Sequence, residues 1–226
     1  QNGLGKICQV VWLIPNMDRL WVDGAEGRRR FLDRLCLSFC PDHADASLSY
    51  EKAMRERNRL LKDQVSDPSW YRAIERQMAE SGANIQANRL ATMTRLRAAI
   101  AQGGSAFPEC DLKLLGADAV EEPFLDANQL ADRLNEARYR DMAAGRSLIG
   151  PHRSDMAGAY SAKNLAAKDC STGEQKALLL SVILAHARAL KADIGAAPLL
   201  LLDEVAAHLD ADRCRALFAE LQTLGA

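Results

Sequence analysis

The stretch Ala197–Asp210 reads APLLLLDEVAAHLD, and its reading decides the fold. Pro198 to Leu202 is a run that fills a strand buried on both faces, which calls for a parallel or mixed sheet with helices packed around it. The run ends directly in two acids, Asp203 and Glu204. Carboxylates at the end of an apolar strand are costly unless a partner or a metal compensates them. Nucleotide hydrolases use such a pair: the strand end fixes the first acid beside Mg²⁺, and the second polarises the attacking water. Taken alone, the same pair could be two acids facing solvent.

A second stretch precedes it. Cys170–Ala187 reads CSTGEQKALLLSVILAHA, a hydroxyl residue, a glycine and a polar pair ahead of a long apolar helix. Ser171 or Thr172 caps that helix, predicted over Gly173–Leu190. The N–H groups around Gly173 form an anion site strengthened by the helix dipole. Alone, this is an ordinary N-cap.

Working outward, Val10–Ile14 is a short apolar strand closed by Pro15. A helix from about Arg28 to Phe39 follows, with Phe31, Leu32, Leu35 and Phe39 on one face. Pro41 ends it. Ala44–Val65 is helical and charged. The turn Ser66–Ser69 contains Pro68, which a helix interior excludes. A second helix runs from Trp70 to about Gln102, and Gly82 is the position at which it could break. The pair reads as an antiparallel hairpin, an arm rather than a compact core. Beyond Gly103–Ser105 the period changes: CDLKLLG, from Cys110, alternates as a strand. Asp126 with Gln129 forms a capping box for a helix to about Ala144. SLIGPHRSDMAGAYSA, from Ser147, reads as a strand, a Gly-Pro bend and another short strand. A last helix follows Asp210 as far as Leu224.

With 226 residues, 48% hydrophobic and 26% charged, the chain has ample core for one large domain or two small ones. A net charge of −1 marks no global affinity for nucleic acid or membrane, so any basic surface is a local patch. The near-apolar run Ala177–Ala185 is far short of the roughly 20 residues that span a bilayer, and no membrane partner is expected. The cysteines show no CxxC pair, as befits thiols of a reducing cytoplasm.

In this order, the two stretches acquire a specific meaning. A Ser-x-Gly-x-Gln helix start, then an apolar strand ending Asp-Glu, then AAHLD, resembles the signature motif, Walker B and D-loop of ATP-binding-cassette ATPases. VVWLIPNMDRLWVDGAEGRRRFLDRL at Val10–Leu35, YEKAMRERNRLL at Tyr50–Leu61 and LIGPHRSDM at Leu148–Met156 narrow the resemblance to the RecF-like proteins, relatives of Rad50 and SMC heads. The resemblance implies an α/β, helix-rich head with an inserted helical-hairpin arm: head over 1–43, arm over 44–104, and head lobe with signature and Walker B over 105–226. It implies an ATP-dependent homodimer that binds duplex DNA at single-strand gaps. With RecO and RecR, such a protein promotes recombinase loading. By the same resemblance Ser171, Thr172 and Gly173 meet the γ-phosphate of ATP held by the opposite subunit, with Glu174, Gln175 and Lys176 completing the motif. Glu174 stands where a glutamine is usual. Asp203 serves Mg²⁺, Glu204 the water, and His208, Leu209 and Asp210 the subunit interface.

A phosphate-binding loop G-x-x-x-x-G-K-[ST] is missing. Gly5-Lys6 lacks both the upstream glycine and the hydroxyl, Ile7 standing in its place. The sequence therefore reads as an internal fragment, expected to be inactive towards ATP by itself. Arg28, Arg29, Arg30 and Arg34 cluster at one helix start, and Arg55, Arg57, Arg59 and Lys62 follow the arm. Either group is able to track phosphates, or to pair with nearby acids on solvated faces. His152 and Arg153 follow the Gly-Pro bend and approach the nucleotide or the subunit interface, or serve structure. The rival readings are another SMC-like or Rad50-like head and a non-catalytic interaction module.

Overall fold

The computed structural model describes residues 9–102, 106–121, 123–206 and 209–225. In it Val10–Leu13 forms β1 and pairs in parallel with Leu199–Leu202, β5, in the register Val10↔Leu199 to Leu13↔Leu202. The ladder continues one residue further, where the Asp203 amide donates to the Leu13 carbonyl at 2.9 Å. Between them lie α1 (Ala25–Phe39), α2 (His43–Lys62), α3 (Pro68–Ala101), β2 (Cys110–Leu115), α4 (Ala127–Ala144), β3 (Asp155–Tyr160), β4 (Leu165–Ala166) and α5 (Thr172–Ile194), with α6 (Ala211–Leu224) after β5. β2, β3 and β4 form a three-stranded sheet in that order, with β3 and β4 antiparallel.

The contacts divide into two units, one of residues 1–31, 92–113 and 156–226, the other of residues 32–91 and 114–155. The first is organised on α5, which is buried along nearly all its length, from Gln175 to Leu190. A helix apolar on every side has no solvent face to offer. It packs on β1, on α6 and on the 3₁₀ turn Pro15–Arg19.

β5 departs from the expected burial on both faces. Leu199 and Leu201 are each 52% exposed, and Trp12, the register partner of Leu201, is 38% exposed. The cross-strand alternation places Val11 and Leu13 inward instead, at 3% and 1%. One face of this two-stranded sheet is therefore packed and the other open, whereas the parallel pairing agrees with the parallel or mixed sheet expected.

In the second unit α2 and α3 are antiparallel. As the numbering falls along α2 it rises along α3: the Arg57 side chain meets Glu75, Tyr50 lies at Gly82, and His43 reaches Asn88. A third helix, α4, shares their core of Tyr50, Ala53, Met78, Ala79, Ile85, Leu130 and Leu134. Gly82 does not interrupt α3, which runs unbroken from Pro68. A Cβ there would lie 2.9 Å from Leu130 Cδ2 and 3.0 Å from Tyr50 Cε2, so the glycine lets three helices approach. Pro68 opens the helix, where its missing N–H costs nothing.

The strand expected at Ser147–Ile149 is not formed. Its amides are taken by side chains: Ser147 N–H donates to Asn58 Oδ1 at 2.7 Å and Leu148 N–H to Asp141 Oδ1 at 3.1 Å. The chain then turns at Gly150, with φ at +126°, into the 3₁₀ turn Pro151–Arg153.

Candidate functional site

Ser171 is the N-cap of α5. Its hydroxyl oxygen accepts from the Glu174 amide at 3.4 Å, and Glu174 Oε2 accepts from the Ser171 amide at 2.8 Å, a complete capping box. The Ser171 hydroxyl also donates to the same carboxylate oxygen at 2.9 Å. Glu174 Oε1 accepts from Lys163 Nζ. Lys163, then the Ser171 amide and hydroxyl, hold the Glu174 carboxyl at about 2, well below the usual carboxylate range. Ser171, Thr172 and Gly173 are exposed, and a Cβ at Gly173 would meet nothing within 4 Å. Thr172 and Gly173 also carry the first amides of the helix, which no preceding turn can satisfy.

Gln175 and Lys176 are placed differently. Both are buried, at 7% and 6%. Gln175 Nε2 donates to the Cys170 carbonyl at 2.9 Å, and the Gln175 carbonyl accepts from Trp21 Nε1 at 3.1 Å. Lys176 Nζ donates to Asp18 at 3.2 Å. Trp21 in turn lies against Gly158 of β3, where a Cβ would come within 2.6 Å of the indole. These two members of the motif thus clamp the start of α5 onto the segment after β1, and leave the surface to Ser171, Thr172 and Gly173.

Asp203 and Glu204 are exposed at the end of β5, while Val205 is buried at 3%. Glu204 holds a left-handed backbone, φ +52°. A side chain in that region costs energy and recurs at functional sites. The two halves share one support: Leu13 fixes Asp203 by a backbone bond, and Asp18 and Trp21, a few residues on, fix the start of α5. Among the described residues no cluster of three or more His, Cys, Asp or Glu could hold a metal. The donor set fits Mg²⁺ in the manner of nucleotide sites, where one or two carboxylates act with phosphate oxygens and water.

Of the expected interface residues, His208 lies outside the described residues, as do Gly5 and Lys6. Leu209 is half-buried, and exposed Asp210 caps α6 by accepting from the Arg213 amide at 2.8 Å. Among the expected DNA contacts, Arg28 donates to the carbonyls of Leu20 and Trp21 at 3.3 Å, and to that of Asp23. Arg30 is exposed and pairs with Glu26 at 3.4 Å; Arg29 is half-buried. Burial of Arg34 draws its pKa down to about 10.

Arg57 cannot track phosphates. It is fully buried, with Nε on Glu75 at 3.0 Å, Nη1 on Asp141 and Ser147 at 2.6 and 2.8 Å, and Nη2 on the Leu134 carbonyl at 2.8 Å. Both ring nitrogens of His152 are engaged within the chain: Nδ1 accepts from the Tyr50 hydroxyl at 2.7 Å and Nε2–H donates to the Ser147 carbonyl at 3.0 Å. The buried acids on α3 and α4 that select Arg57 are not legible from its neighbours in sequence.

No protein-family model matches the chain. It is 49% identical over 223 residues to the DNA replication and repair protein RecF of Mesorhizobium japonicum, an alignment covering 96% of this chain and 59% of that protein. RecF of Brucella abortus is 48% identical over 230 residues, covering 99% and 60%. The chain is similar to these RecF proteins along nearly all of its own length. It spans about three fifths of the length of these curated RecF relatives. Among solved structures, one of the recombination mediator protein RecF–ATP in the RecFOR pathway matches with a TM-score of 0.80 at 23% identity, covering 95% of this chain and 60% of that one. A second, of RecF–ATPrS, matches at 0.79 over 98% and 62%. These RecF structures share the fold of this chain. No helix among the described residues is long and apolar enough to cross a membrane.

Proposed function

We propose that this chain carries the signature and Walker B elements of a RecF-type ATPase, which dimerises around ATP and binds duplex DNA at single-strand gaps. The similarity to RecF over 96% of the chain and the RecFOR context of the RecF–ATP structure support a role with RecO and RecR in recombinase loading. The observation that carries the reading is the common support: an exposed serine cap and an exposed Asp-Glu pair are both fastened to Leu13–Trp21.

In this reading Ser171, Thr172 and Gly173 donate hydrogen bonds to the terminal phosphate of a nucleotide held by the opposite subunit. Asp203 holds Mg²⁺, which supplies charge neutralisation when bound. Glu204 orients the attacking water and receives its proton. Gln175 and Lys176 keep the cap in place from behind. Leu209 and Asp210, with His208, lie along the subunit interface. Of the arginines at the start of α1, Arg30 is the best disposed to meet a DNA phosphate, being exposed.

The test uses the gene product at its full encoded length. Glu204→Gln is expected to preserve ATP-dependent dimerisation and lower turnover by about 100-fold, the scale of general-base catalysis. Undiminished turnover would remove Glu204 from the mechanism.

A further inference from the structure

We propose that Lys163 is a positioning residue of the signature site, neutralising Glu174 so that the anionic phosphate end of a nucleotide can reach Ser171. The inference rests on the reading of Ser171 given above and names a residue outside the motif.

The difficulty it resolves is electrostatic. Glu174 keeps a carboxylate oxygen 2.9 Å from the hydroxyl that would serve the phosphate. Two anions brought to one hydroxyl repel, and a nearby like charge is opposed by one or more pK units of interaction. The cap itself does not require the charge, since a capping box forms with Gln as readily as with Glu. What the chain supplies instead is a counter-ion from another element. Lys163 ends the 3₁₀ turn Ser161–Lys163 after β3, where Asn164 stops the turn in the left-handed conformation, φ +46°. Its ammonium pairs with Glu174 Oε1 and lies 5.4 Å from the centroid of the Tyr160 ring. An exposed lysine ordinarily samples many rotamers. Here it meets a carboxylate and a ring face together.

The arrangement divides the work of Glu174. One oxygen caps α5 through Ser171, and the other is occupied by Lys163, so the motif meets an incoming phosphate without net negative charge at Glu174. Lys163 acts through Glu174 and touches no reacting atom.

The test is ATPγS-dependent dimerisation of the full-length gene product, measured by analytical ultracentrifugation for the wild type, Lys163→Ala, Glu174→Gln, the double variant and Ser171→Arg. Lys163→Ala is expected to weaken nucleotide-dependent dimerisation about tenfold. Compared with Glu174→Gln alone, the double variant should show no further loss, because no charge remains for Lys163 to neutralise. Wild-type behaviour of Lys163→Ala overturns the inference. So does a double variant weaker than Glu174→Gln alone, the outcome of a purely structural lysine. Nucleotide-independent behaviour of the wild type, or normal dimerisation of Ser171→Arg, would instead overturn the reading of the signature site on which the inference rests.

Discussion

At the scale of single residues, what the site needs is carried by backbone positions as much as by side chains. Glu204 is exposed and holds φ +52°, although nothing in its side chain favours that region. The strain falls between a residue fixed to β1 through its amide, Asp203, and a buried one, Val205. Its cost is measurable on this chain: in denaturant unfolding, Glu204→Gly should be more stable than Glu204→Ala by about 1 kcal/mol, since only glycine enters the left-handed region freely. Equal stabilities would mean that the left-handed backbone is not populated. The acids themselves were legible in the sequence as LLLLDE, and the cap as STGEQ. Left unread were the backbone strain at Glu204 and the inward turn of Gln175 and Lys176. The inward turn depends on Trp21 and Asp18, more than 150 positions away in sequence.

At the scale of elements, periodicity located most helices to within a few residues, because an apolar stripe is a local property. α1 begins at Ala25 rather than Arg28, and α3 at Pro68 rather than Trp70. Where the sequence misled, the deciding partners were distant. Ser147–Ile149 has the look of a strand, yet Asn58 and Asp141 take its amides. Arg57 has the look of a surface cation, yet Glu75 and Asp141 surround it, and Arg138 shares Glu75 at 2.5 Å. This buried set joins α2, α3 and α4. Arg57→Ala leaves two buried carboxylates without their shared cation, and unfolding should show a loss of about 3–5 kcal/mol, the usual result of removing one partner of a buried pair. A loss below about 1 kcal/mol would show that the acids find other donors or fill with water. Gly82 teaches the same lesson in reverse: a possible breaker proves to be where Leu130 and Tyr50 pack too close for a side chain.

At the scale of the molecule, the fold class was legible because two motifs in fixed order point to it; the parallel strand beside β5 agrees with the sheet expected, while its identity as β1 was not legible. The open face carrying Trp12, Leu199 and Leu201 was not, since an apolar run gives no sign of whether both its faces are covered. The account's central claim is that the Ser171 cap and the Asp203–Glu204 pair act on the same nucleotide from two copies of the protein. Mixing two full-length variants, Ser171→Arg and Glu204→Gln, tests it most directly. Each alone should be nearly inactive as an ATPase. A hybrid dimer contains one site with both lesions and one with neither, so a mixture should regain turnover in proportion to the hybrid formed, up to about a quarter of wild type were the two variants to pair at random in a symmetric two-site dimer. A mixture as inactive as its components would contradict the account.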